Sequence, residues 1–154
     1  MELRSILTST QVSELPLPAH PVLQSSDSLA VAAQEMRSMS YGGAVIVDNG
    51  RLEGIVTERD LMRYVDTGAA MDVPLAGVMT RNPQTVTANA TLYEVIRLMD
   101  KGGYRRLPVV DKGGVPVGIV DVKSIVHFLV EHFPAAVYNQ ASHAQLLAKH
   151  REGA

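Results

Sequence analysis

The chain repeats itself. Residues 28–48 read "SLAVAAQEMRSMSYGGAVIVD" and residues 91–111 read "TLYEVIRLMDKGGYRRLPVVD". Both ends lie 63 positions apart, so the segments align without a gap: Leu29 meets Leu92, Met36 meets Met99, Tyr41 meets Tyr104 and Val47 meets Val110. One added residue then shifts the register to 64, and "GIVTERD" (54–60) meets "GIVDVKS" (118–124). A unit of about 60 residues is marginal alone. Two copies in 154 residues therefore point to halves that share buried surface.

Each copy follows one plan. A short extended segment comes first (Val22-Leu23; Thr85-Val86). A helix follows, with apolar residues at helical spacing: Leu29, Ala32, Ala33 and Met36, then Leu92, Val95, Ile96 and Met99. Ser28 suits the N-cap of the first, and Thr91 with Glu94 forms a capping-box pattern for the second. An apolar strand ("AVIV"; "LPVV"), a turn suited to tight hairpins ("DNGR"; "DKGG") and a strand ending in "GIV" come next. The last helix runs from Thr57 toward Asp66, closed by Gly68, and from Asp121 to about His132, stopped before Pro134. The expected fold is α/β: two β-α-β-β-α units related by a pseudo-twofold axis, with their sheets packed face to face. The expected layout is a leader (1–9), a first unit (10–70), a second unit (71–133) and a tail (134–154) in which "SHAQLLAKH" suits a short amphipathic helix.

Composition narrows the function. A net charge of −2 argues against a nucleic acid or an anionic membrane as partner. No window approaches the roughly 18 apolar residues of a membrane span, and "MELRSILTST" has no signal-peptide pattern. Aromatic residues are too few, at 5%, for a base-stacking platform. The chain has no cysteine, which removes disulfides, zinc-thiolate sites and cysteine nucleophiles; a cytoplasmic protein is expected. His127 and His132 are five apart and His143 and His150 seven apart, not the i, i+4 spacing that sets two metal ligands side by side. No Walker loop, nucleophile elbow or catalytic triad stands out, so an enzyme is not expected. Met36, Met62, Met79 and Met99 read as core filler.

The β-α-β-β-α plan, "YRRLPVVD" and "GIVTERDL" resemble the cystathionine-β-synthase (CBS) domain family, over roughly residues 10–132. The two copies resemble a Bateman module. That resemblance implies a regulatory module whose cleft holds an adenosine compound (AMP, ADP, ATP or S-adenosylmethionine) as a regulatory ligand, with no cofactor required. It also implies a disc-like homodimer acting on a protein target. A ligand-free scaffold is the rival reading.

The residue chemistry suits such a ligand. Gly54 lets backbone approach a base or sugar. Thr57 stands at a strand-to-helix junction, where its hydroxyl can cap the helix or donate to a phosphate. Asp60, three residues on, shares its face, and its carboxylate can accept both ribose hydroxyls. The plainer alternative makes Thr57 only an N-cap and Asp60 only a favourable first-turn charge. In the second copy Asp121 replaces Thr57 and Ser124 replaces Asp60. Capping survives that change; a ribose grip does not. The second copy instead carries Arg105 and Arg106 where the first has Gly42 and Gly43. Lys123 lies in a helix first turn, where a cation opposes the dipole. The family's paired arrangement implies one cleft joining Thr57 and Asp60 to Asn82, Pro83, Gln84, Arg105, Arg106, Pro108 and Lys123, with the cations on the phosphates. Arg105 and Arg106 also suit a solvated strand end or a dimer salt bridge. The apolar faces of the last helices, including Leu61, Met62, Ile125 and Phe128, are the candidate dimer surface.

Overall fold

The structure, a computed structural model, describes residues 2–132. The expected tail helix and His143 and His150 lie outside them. The first unit contains β1 (Val22–Gln24), α2 (Leu29–Ser38), β2 (Gly43–Asp48), β3 (Arg51–Thr57) and α3 (Glu58–Asp66), preceded by a helix α1 (Leu3–Ser9). After β4 (Thr80–Arg81) the second unit supplies α4 (Leu92–Gly102), β5 (Arg106–Val110), β6 (Pro116–Asp121) and α5 (Val122–His132). One sheet has the order β1-β2-β3-β4, parallel only between β1 and β2; the other pairs β5 with β6 antiparallel. Among the described residues no helix is long and apolar enough to cross a membrane.

Local chemistry fixes these elements. Ser28 Oγ accepts the Val31 N–H, and Glu94 reaches back to the Thr91 N–H while Thr91 Oγ1 accepts from Glu94 N. Asn49 and Gly50 both hold positive φ, the conformation a two-residue hairpin turn demands. The second hairpin is longer than expected: Asp111 Oδ1 accepts the N–H groups of Gly113 and Val115, organising a wider loop. The expected Thr85-Val86 strand is only a bridge, Val86 opposite Val109. In the first unit the Val45 N–H donates to the Pro21 carbonyl and lengthens the ladder. Val45 aligns with Pro108, which has no N–H to donate.

The halves exchange their leading segments. Leu75 and Met79 are buried in the first unit's core with Leu29, Met36 and Ile46, while Ile6, Val12 and Leu15 are buried in the second unit's core with Leu92, Val95 and Leu107. Three backbone hydrogen bonds recur at a spacing of 63. Val12 N donates to Ala90 O, as Leu75 N does to Asp27 O; Ser13 N donates to Ala88 O, as Ala76 N does to Ser25 O; Leu92 N donates to Thr10 O, as Leu29 N does to Val73 O. This is the pseudo-twofold axis written in hydrogen bonds. The sheet faces turned away from the helices are also buried, at Val45 and Ile55 on one sheet and Pro108 and Ile119 on the other. Leu52 N donates to Gly114 O across the units.

Gly54 sits where β4 crosses β3. A Cβ there would lie 2.8 Å from both the Thr80 carbonyl oxygen and Met79 Sδ. At Gly118 it would meet only the Leu17 side chain, which can rotate. Gly54→Ala should therefore destabilise by about 1–3 kcal/mol and Gly118→Ala by less, read from urea unfolding.

Candidate functional site

Both β-to-α junctions are held alike. Glu58 N donates to Gly42 O and Val122 N donates to Arg105 O, so each last helix is hung from the start of its neighbouring strand. At the first junction Thr57 is extended, and Asp60 Oδ2 accepts from Thr57 N at 2.9 Å and from Thr57 Oγ1 at 3.3 Å. The reach-back that starts α3 is thus in place. It occupies one carboxylate oxygen; no described residue donates to the other, Oδ1.

The second junction is closed. Asp121 is 6% exposed; its Oδ1 accepts from Ser124 N at 2.6 Å and its Oδ2 from the Tyr41 hydroxyl at 2.7 Å. Asp capping of α5 survives the loss of threonine, as the sequence led us to expect. The Tyr41 phenol is held well above its ordinary range, first by burial and then by the bond to Asp121. The Arg106 guanidinium lies over the Tyr41 ring, 5.3 Å from its centroid. The Glu58 carboxylate and the Arg106 side chain together fill the space a Cβ on Gly42 would need, and Arg106 also lies close to Gly43, so that glycine pair leaves room for both side chains. Tyr104, the counterpart of Tyr41, is 43% exposed and makes no such bond. Tyr41→Phe leaves a buried carboxylate oxygen one donor short and should cost about 1–3 kcal/mol at neutral pH, read by denaturant unfolding. The raised phenol stabilises fully below its ordinary value of 10.0, and that contribution fades only in alkali above it.

Between the junctions lies a cleft of about 1130 Å³. Of the residues singled out from sequence, Thr57, Asp60, Asn82, Pro83, Gln84, Arg105, Arg106 and Lys123 all line it. Asn82 turns the chain into it with a positive φ, a conformation asparagine tolerates. Pro108 does not line it; it is buried within β5 opposite Ile119. The cleft also takes in Tyr41, Glu58, Arg59, Arg63, Tyr104 and His127, none of which was singled out from sequence as a site residue. The repeat held a signal for some of them: Arg59 aligns with Lys123 and Arg63 with His127 at the 64-residue spacing.

The expected dimer surface needs correction. Ile125 and Phe128 belong to the second unit's core. The helix period that turns them inward turns Val122, Val126 and Val130 outward, at 38%, 51% and 48% exposure. Met62 is not core filler either, being 70% exposed, whereas Met36, Met79 and Met99 are buried.

A twice-used unit, reciprocal exchange of leading segments and a cleft between matched strand-to-helix junctions define a paired-repeat α/β module. The chain belongs to the CBS domain family, which matches residues 12–67 and 75–131. Hypoxic response protein 1 of Mycobacterium tuberculosis is 34% identical over 109 residues, 69% of this chain and 76% of that protein. The CBS domain-containing protein CBSCBSPB3 of Arabidopsis thaliana is 31% identical over 145 residues; the match takes in 91% of this chain but only 25% of that longer protein. Among solved structures, the CBS domain pair of protein MJ0100 in complex with 5′-methylthioadenosine and S-adenosyl-L-methionine superposes with a TM-score of 0.73 at 26% identity, covering 80% of this chain and 98% of that one.

Proposed function

We propose that the chain is a non-enzymatic regulatory module that binds an adenine nucleotide (AMP, ADP or ATP) in the Asp60 cleft and reports its occupancy to a protein target in the cytoplasm. One observation carries this reading: Asp60 spends one oxygen on the start of its own helix and presents no described partner for the other, in a cleft shared with Arg105 and Lys123. The free oxygen accepts ribose hydroxyls, and the two cations take phosphate. Arg106, stacked on Tyr41, is a poorer phosphate ligand than Arg105. The adenosine compounds bound by the MJ0100 pair support the choice of adenosine. They also favour a second reading, an S-adenosylmethionine sensor.

Calorimetric titration with AMP, ADP, ATP and S-adenosylmethionine tests the proposal. At least one should bind; if none does, the ligand-free scaffold replaces it. The module acts as a homodimer through Met62 and Val65 of α3, whose exposure is large for apolar side chains, while the outward valines of α5 line the cleft. Light scattering at micromolar concentration should give twice the chain mass, and a monomer would remove the dimer from the proposal.

A further inference from the structure

The charge in the cleft does not match the charge of the chain. The chain carries a net charge of −2, yet five of its 14 lysines and arginines line this one cleft: Arg59, Arg63, Arg105, Arg106 and Lys123. They face three carboxylates, those of Glu58, Asp60 and Asp121. Asp121 is already committed to Tyr41 and Ser124, and Asp60 to Thr57. Among the described residues none of the five cations forms an ion pair, whereas Arg81, outside the cleft, pairs with Glu53 at 3.2 Å. His127, also on the wall, is engaged by Glu131 at 3.3 Å.

Two of these cations stand where a helix disfavours them. Arg59 and Lys123 occupy the second position of α3 and α5, next to the positive end of each helix dipole. They are pseudo-symmetric partners, so both copies place a cation at the same unfavourable position facing the same space. Arg63 follows Arg59 by four residues, on the same face of α3. Five cations against three carboxylates leave the cleft with an excess of positive charge, and an anion supplied from outside relieves that excess.

Resting on the nucleotide reading above, we infer that the ligand carries two or more phosphates, and that Arg59 and Arg63 of α3 hold those farthest from the ribose. A volume of about 1130 Å³ leaves room for them; it lies just above the roughly 300–1,000 Å³ usual for small-molecule pockets. A nucleoside has nothing to offer this wall, and a sulfonium cation such as S-adenosylmethionine is repelled by it. The α3 arginines are therefore the residues that set ligand class, distinct from Asp60, which reads the sugar.

Calorimetry of the full chain with adenosine, AMP, ATP, S-adenosylmethionine and inorganic tripolyphosphate tests this. ATP should bind about a hundredfold more tightly than adenosine and about tenfold more tightly than AMP. Arg59→Ala and Arg63→Ala should each weaken ATP about tenfold, the loss of one charge-assisted contact, and leave adenosine within about twofold. Both side chains are exposed and Arg59 is unfavourably placed for stability, so thermal melting should not fall and a binding loss is not a folding loss. Equal affinity for adenosine and ATP, or tighter binding of S-adenosylmethionine than of ATP, overturns the inference and leaves the adenosine reading standing. Binding of tripolyphosphate that requires Arg59 and Arg63, with no adenosine compound bound, upholds the polyphosphate role of the two arginines and removes the adenosine reading. Binding of none of the five overturns both.

Discussion

Leu75→Ala should destabilise the protein by about 2–5 kcal/mol, the range for a leucine truncated in a core that cannot fully collapse. By sequence Leu75 leads the second copy. In the structure it is fully buried in the first unit's core, against residues of α2 and β2, and its N–H donates to Asp27 O. Val12, its counterpart 63 residues earlier, is fully buried in the opposite unit. Each half is therefore completed by a segment that belongs to the other. The loss at Leu75 should not appear as melting of the second unit alone: fluorescence and circular dichroism should follow one urea transition, displaced to lower denaturant with its slope kept. Two separable transitions, or a loss under about 1 kcal/mol, would mean that the exchanged segment is an ornament rather than a part of the core.

Asp60→Ala should weaken nucleotide binding about tenfold or more, corresponding to roughly 1.5–3 kcal/mol for a charged acceptor. Ser124→Ala, at the equivalent position, should change it by less than about twofold. Ser124 is used in the structure through its backbone N–H, which donates to Asp121 and is indifferent to the side chain. Asp60 serves two ends, since its Oδ2 also holds the Thr57 N–H; its removal should cost about 0.5–2 kcal/mol of stability besides. Asp60→Asn keeps an oxygen for the reach-back while losing the charge. It should therefore recover most of the stability and little of the affinity. Should Ser124→Ala lose binding while Asp60→Ala keeps it, the ligand lies at the other junction.

Local rules made most of the fold legible. Periodicity and caps located α2, α4 and α3, and the 63-residue spacing located the second unit from the first. What local pattern did not show has one cause: each point depends on what a residue meets far away. Nothing near Val12 or Leu75 says that the segments trade places, because their partners lie across the chain. α5 is apolar on two faces, so periodicity alone could not tell Ile125 and Phe128, which face the core, from Val126 and Val130, which do not. Pro108 fits the family motif but lies inside the strand, and its missing N–H shortens the ladder beside it. The cations of the cleft were half visible. Arg105 and Lys123 stood out because their aligned positions or dipole placement were odd, whereas Arg59 and Arg63 were not singled out and it is the fold that turns them toward the cleft.

One adenine nucleotide should sit at the Asp60 junction and leave the Asp121 junction closed. A crystal structure of the chain grown with ATP tests it most directly. That structure should hold one nucleotide per chain, with both ribose hydroxyls within hydrogen-bond distance of the Asp60 carboxylate, phosphates on Arg105 and Lys123, and the Tyr41–Asp121 bond intact. A ribose seated instead at Ser124, with Tyr41 displaced from Asp121, would contradict it.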